Sequence, residues 1–122
     1  MKILFIDDDR YILGMMKEVI TATTGVEMAF SECHSVADAL LAIDREKPEV
    51  IFLDNSLSKG KDEGIEVVKA LAEKRIKIFT TTSDPNIEEV YRAMGIERVE
   101  KSDADNIERI MNKAASAAAS DG

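Results

Sequence analysis

Three consecutive carboxylates, Asp7, Asp8 and Asp9, follow the apolar run 3–6, and a fourth, Asp54, follows the apolar run 50–53. Three threonines, Thr80, Thr81 and Thr82, close the run that starts at Ile76, and Lys101 follows a short run at 96–100. If these ends converge, the carboxylates repel one another and at least one pKa rises, unless a cation neutralises them. An all-oxygen donor set with no His or Cys beside it suits a hard ion, and Mg²⁺ is the expected metal. A divalent ion beside a carboxylate, a lysine and a hydroxyl is a place where a phosphoryl group can be handled. Asp54, at the end of the most continuously apolar run, is the expected nucleophile. Its neighbouring carboxylates then hold the metal, and Lys101 supplies positive charge.

The elements that must hold these groups alternate between strand-like runs and helix-period segments, five of each, the signature of repeated βα units. Residues 3–6 lead into a helix carrying Tyr11, Ile12, Met15, Met16, Val19 and Ile20, which stops around Thr24 and Gly25. Val26, Met28 and Phe30 alternate as a half-buried strand, and Ser35 with Asp38 forms a capping box for a second helix with Ala39, Leu40 and Ile43 inward. The run 50–53 is apolar on both faces, as a central strand between helix layers should be. A third helix carries Ile65, Val67, Val68 and Leu71, and the strand 76–82 follows. Asp84 and Pro85 fit N-cap and first position of a fourth helix. A short strand at 96–100 then leads to a last helix with Ile107, Ile110 and Met111. The expected fold is α/β: a doubly wound, flavodoxin-like (βα)₅ domain with a five-stranded parallel sheet. Such sheets place ligands outside the carboxyl ends of their strands, where the polar groups above stand.

A chain of 122 residues with 45% hydrophobic content suffices for one compact core. The expected domain covers residues 1–113, with 114–122 as an Ala/Ser-rich tail or the start of a linker. The formal charge of −8 excludes a nucleic-acid footprint, which needs clustered Lys and Arg. No apolar stretch approaches the ~20 residues that cross a bilayer, so no membrane partner is expected. One cysteine, Cys33, and no leader-like segment before the first strand make the cytoplasm the expected compartment.

Together, the segments Ile-Leu-Phe-Ile-Asp-Asp-Asp-Arg and Pro-Glu-Val-Ile-Phe-Leu-Asp, with Lys101 after the fifth strand, resemble the receiver domain of bacterial two-component response regulators, over residues 2–112. The resemblance implies a signalling switch: Asp7 and Asp8 hold Mg²⁺ with Asp54 and the backbone carbonyl of Ser56. Asp54 is then the phosphoacceptor, charged by a histidine kinase or phosphotransfer protein, and a surface read by a downstream protein changes. It implies catalysis of the domain's own phosphorylation and dephosphorylation only. The switch hydroxyl is expected at Thr82, which small Ser83 follows, with Thr80 on the same strand face as the alternative.

Three positions depart from the family pattern. The segment after Asp54 is long, with Ser58 where a proline commonly stands and with Lys59 and Lys61 adding charge. Ser102 follows Lys101 where the family has a proline, and Arg98 takes the place of an aromatic residue three before the lysine. A degenerate receiver that only binds protein therefore stays open as an alternative. A Mg²⁺-dependent phosphohydrolase is another, though its acid/base Asp would stand at position 56, which is Ser56. Asp9 is expected to cap the first helix, His34 to carry no chemistry, Met15, Met16, Met94 and Met111 to pack the core, and the charged stretch 63–77 to be a solvated helix face.

Overall fold

The computed structural model describes residues 1–20, 25–58 and 62–121, so Thr24 at the expected helix stop and the loop lysines Lys59 and Lys61 lie outside the described residues. In chain order the elements are β1 (Lys2–Asp7), α1 (Arg10–Val19), β2 (Glu27–Glu32), α2 (Val36–Glu46), β3 (Val50–Leu53), α3 (Glu63–Ala70), β4 (Lys77–Thr80), α4 (Pro85–Ala93), β5 (Glu97–Arg98) and α5 (Ala104–Asp121). All neighbouring strands are parallel, in the order β2-β1-β3-β4-β5. This is the doubly wound (βα)₅ arrangement expected from the sequence, with β3 central.

The side-chain period of two sorts the sheet into two cores. Ile51 and Leu53 of β3, with Leu4, Ile6 and Ile78, pack beneath α2, α3 and α4. Val50 and Phe52, with Ile3, Phe5 and Phe79, pack beneath α1 and α5. On that second face four rings stack across four strands: Phe30 on Phe5 at 4.6 Å, Phe5 on Phe52 at 5.0 Å and Phe52 on Phe79 at 5.2 Å between centroids.

Helices α1, α2 and α4 begin where polar side chains satisfy their first amides. Asp9 accepts from the amides of Tyr11 and Ile12 at the start of α1, as expected, and Ser35 accepts from Asp38 at the start of α2. Asp84 caps α4 ahead of Pro85. Gly25, at φ +82°, takes the left-handed conformation that glycine adopts without a Cβ penalty.

Several local expectations change. The inward stripe of α1 is Leu13 and Met16, continued by Ile20 at its cap, while Tyr11 is 82% exposed and Met15 and Val19 lie beside it on the outer face. Met94, at the cap of α4, also reaches solvent, so of the four core methionines only Met16 and Met111 are buried. Glu63 is 7% exposed rather than on a solvated face, because it opens α3 against the body of the domain. β4 itself ends at Thr80 rather than at Thr82, and β5 shrinks to two residues. Residues 114–121 continue α5. No helix among the described residues is long and apolar enough to cross a membrane.

Candidate functional site

The register of the sheet decides which side chains meet. Ile6 lies beside Leu53, and Leu53 beside Thr80. The ladder runs one residue further, since the amide of Asp54 donates to Ile6 O at 3.0 Å and that of Thr81 to Leu53 O at 3.0 Å. Asp7, Asp54 and Thr81 therefore form one row across three strands, each two residues beyond a ring of the phenylalanine stack and on the same face. Val99 continues the ladder through its amide bond to Thr80 O at 2.8 Å, and Lys101 follows two residues on.

Carboxylate oxygens of Asp7, Asp8 and Asp54 lie within 4.8 Å of one another. Lys101 Nζ stands 2.7 Å from Asp7 Oδ2 and 3.5 Å from Asp54 Oδ1. Asp7 also accepts from the amide of Asp9 at 2.9 Å, which fixes the turn between β1 and α1. Asp9 itself is spent on capping.

Burial, followed by the negative charge of Asp7, pushes Asp54 up to about 7, against the pull of Lys101. Burial likewise raises Asp7, more than Lys101 and the Asp9 amide lower it. Burial works to lower Lys101, but the two carboxylates overcome it and hold the ammonium above its ordinary value. Among the described residues three carboxylates thus face a single ammonium, which leaves an excess of negative charge. The donors are all oxygens, and the cluster is compact enough to share one small divalent ion. The residues present fit Mg²⁺.

A cavity of about 570 Å³ opens above this cluster, lined by Asp54, Ser56, Thr81, Thr82 and Lys101 among others. The sequence-predicted Asp7, Asp8, Asp54, Ser56, Thr82 and Lys101 are therefore brought to one end of the sheet, and Thr81 stands beside Asp54 in the row. Thr80 is fully buried on the opposite face, where its hydroxyl accepts from the amide of Thr82 at 3.4 Å and meets the Tyr91 phenol. The Thr82 hydroxyl accepts from the amide of Asp84 at 3.2 Å and so belongs to the approach to α4. No hydrogen bond among the described residues engages the Thr81 hydroxyl, which shares the row of Asp54. Arg98 bridges the same region: Nε donates to the Thr82 carbonyl at 2.5 Å, and the guanidinium pairs with Glu100.

Sequence reading passed over a second set of contacts on the other side of Asp54. The Tyr91 hydroxyl donates to Asn55 Oδ1 at 2.7 Å, and Asn55 Nδ2 donates to Asp62 Oδ1 at 3.0 Å. Ser56 turns its hydroxyl to the carbonyl of Ser58 at 2.8 Å. The inward spacing of Ile87 and Tyr91 on α4 was the available signal for the buried phenol.

A family model described as the response regulator receiver domain matches residues 3–112. The chain is 33% identical over 89 residues to the sensory transduction protein LytT of Bacillus anthracis, a match covering 69% of this chain. It spans about a third of that relative's length, 34%. Among solved structures it is similar to the signal receiver domain of a DNA-binding response regulator from Colwellia psychrerythraea 34H, at 18% identity and TM-score 0.72, over 94% of this chain and 98% of that one. A CheY-like receiver domain from Methylobacillus flagellatus gives 21% identity and TM-score 0.71, over 92% and 96%.

Proposed function

The chain belongs to the response regulator receiver domain family, and on that premise we propose that it is a Mg²⁺-assisted phosphoacceptor switch whose Asp54 takes a phosphoryl group from a histidine kinase or phosphotransfer protein. The observation that carries this reading is the cluster of Asp7, Asp8 and Asp54 within 4.8 Å, with the Lys101 ammonium at its edge. Asp7, Asp8, Asp54 and the carbonyl of Ser56 would hold the ion. When bound, Mg²⁺ supplies positive charge to the phosphoryl oxygens and compensates the crowded carboxylates.

The chain's own residues do the rest. An Asp54 carboxylate oxygen forms the new bond to phosphorus while the bond from phosphorus to the donor imidazole nitrogen breaks, its electron pair staying on the nitrogen. Asp54 directly follows a central strand buried on both sides, so little reorganisation is needed for attack. Lys101 is within reach of the incoming oxygens and can exchange its contact with Asp7 for one with them. We assign the hydroxyl donor to Thr81 in place of Thr82, because Thr81 stands in the Asp54 row and Thr82 is engaged by the amide of Asp84. Capture of the phosphoryl group by Thr81 and Lys101 would pull the segments after β4 and β5 toward Asp54 and bias a surface read by a downstream partner.

Incubation with Mg²⁺ and a small acyl phosphate, followed by intact mass, tests the reading. A single stoichiometric adduct, absent in Asp54→Asn and in Asp8→Ala, is expected. Continuous release of phosphate without an adduct would instead mark a phosphohydrolase, and no adduct at all a protein-binding module.

A further inference from the structure

Tyr91 is fully buried on α4, yet its one polar atom is aimed at the residue that follows Asp54. Three contacts converge on Asn55. Its side-chain oxygen accepts from the Tyr91 phenol at 2.7 Å, its side-chain nitrogen donates to Asp62 at 3.0 Å, and its carbonyl accepts from the amide of Gly64 at 2.8 Å. The first turn of α3 closes so tightly on this junction that a Cβ at Gly64 would lie 2.2 Å from the Tyr91 oxygen, 2.8 Å from Asn55 Cα and 3.1 Å from the Asp54 carbonyl. Glycine is required there for the approach itself. A phenylalanine would fill the same volume at position 91 without burying a hydroxyl, and what sets the phenol apart is its bond to Asn55 together with a contact to the buried Thr80 hydroxyl.

Asn55 is one peptide away from the Asp54 carboxylate on one side and from the Ser56 carbonyl on the other. Whatever orients Asn55 therefore orients both. α4 meets the cavity wall at a second point, through the amide of Asp84 on the Thr82 hydroxyl. The helix is thus tied to the segments after β3 and β4 together.

We propose that Tyr91 is a positioning residue for phosphoryl transfer: through Asn55 it sets the loop that bears Asp54 and Ser56, and the Tyr91–Asn55 bond couples α4 to that loop. This inference rests on the reading of Asp54 as phosphoacceptor. Replacing Tyr91 by Phe should leave the fold intact but slow adduct formation about two- to tenfold, the span of one neutral hydrogen bond. Asn55→Ala should slow it similarly, and the double variant should be no slower than the slower single variant.

The test compares the full chain, Tyr91→Phe, Asn55→Ala and the double variant. It reads the rate of labelling by acetyl phosphate with Mg²⁺, and hydrogen exchange in α4 before and after labelling. The expected result is a change in α4 exchange on labelling of the unaltered chain that is lost in both single variants. Labelling of Tyr91→Phe at the unaltered rate with the α4 response intact would overturn the proposal, even if that variant were less stable. Multiplicative rate losses in the double variant would overturn it too, and Asn55→Ala supplies the same reading should Tyr91→Phe fold poorly. Failure of the unaltered chain to label would overturn the phosphoacceptor reading itself, and this inference with it.

Discussion

The ammonium of Lys101 lies closer to Asp7, at 2.7 Å, than to Asp54, at 3.5 Å. Without a divalent ion, the lysine is the only positive charge inside the acidic cluster among the described residues, and it supports the carboxylate that is buried deepest. Lys101→Ala should therefore destabilise the metal-free protein at neutral pH by roughly 2 kcal/mol, below the ~3–5 kcal/mol of a fully buried broken pair because the lysine is partly exposed. Denaturant unfolding with and without EDTA checks this, and Mg²⁺ should recover most of the loss by binding the folded state alone.

Asp54 sets a pH dependence of definite sign. Its folded-state pKa of about 7 lies above the ordinary carboxyl value, so between about pH 4 and 7 the folded chain holds a proton that the unfolded chain has lost. Stability of the metal-free protein should fall as pH rises through that window, and Asp7, also raised, adds in the same direction. Thermal unfolding in EDTA from pH 4 to 8 measures the slope, and Asp54→Asn should flatten it. A slope of opposite sign would mean that Asp54 is not held protonated by burial.

The three threonines should separate cleanly. Thr81→Val should lower the rate of adduct formation or the adduct's lifetime about tenfold, by removing a hydrogen bond to a charged oxygen. Thr82→Val should act mainly on the start of α4, read by hydrogen exchange there, and Thr80→Val should leave labelling within about twofold. A larger labelling defect in Thr82→Val than in Thr81→Val would return the role to Thr82.

Glu63 is buried with both carboxylate oxygens lacking a hydrogen-bond partner among the described residues. Such a group costs stability that an apolar side chain of similar length does not. Glu63→Met should raise the unfolding free energy by about 1–3 kcal/mol, seen as a higher denaturant midpoint at unchanged slope. A lower midpoint would show that the carboxylate is held by a favourable partner.

The acidic half of the site was legible in the sequence because Asp7 and Asp54 end runs whose apolar residues must be buried, and a parallel sheet puts strand ends on one edge. Lys101 was legible for the same reason. Thr81 was not. Three identical residues carry no pattern, and which of them joins the Asp54 row is fixed by the amide bond from Thr81 to Leu53, a relation between strands 28 positions apart in sequence. Glu63 read as solvated because composition cannot reveal that the first residue of a helix is packed against the domain. Tyr11 and Met15 were placed inward because an apolar stripe read from sequence is defined to within a residue, whereas the sheet selects Leu13 and Met16. The Tyr91–Asn55 bond lies wholly in tertiary structure, 36 residues apart.

The burial of Tyr91 has an optical consequence. The chain has no tryptophan and two tyrosines, one of them Tyr11 in open solvent. Ultraviolet emission excited beyond the phenylalanine band therefore comes from two rings in opposite surroundings, and in Tyr11→Phe it comes from the interior phenol alone. The molecule thus carries an unlabelled intrinsic fluorophore hydrogen-bonded to the residue that follows the aspartate whose chemistry matters, readable in real time by stopped flow.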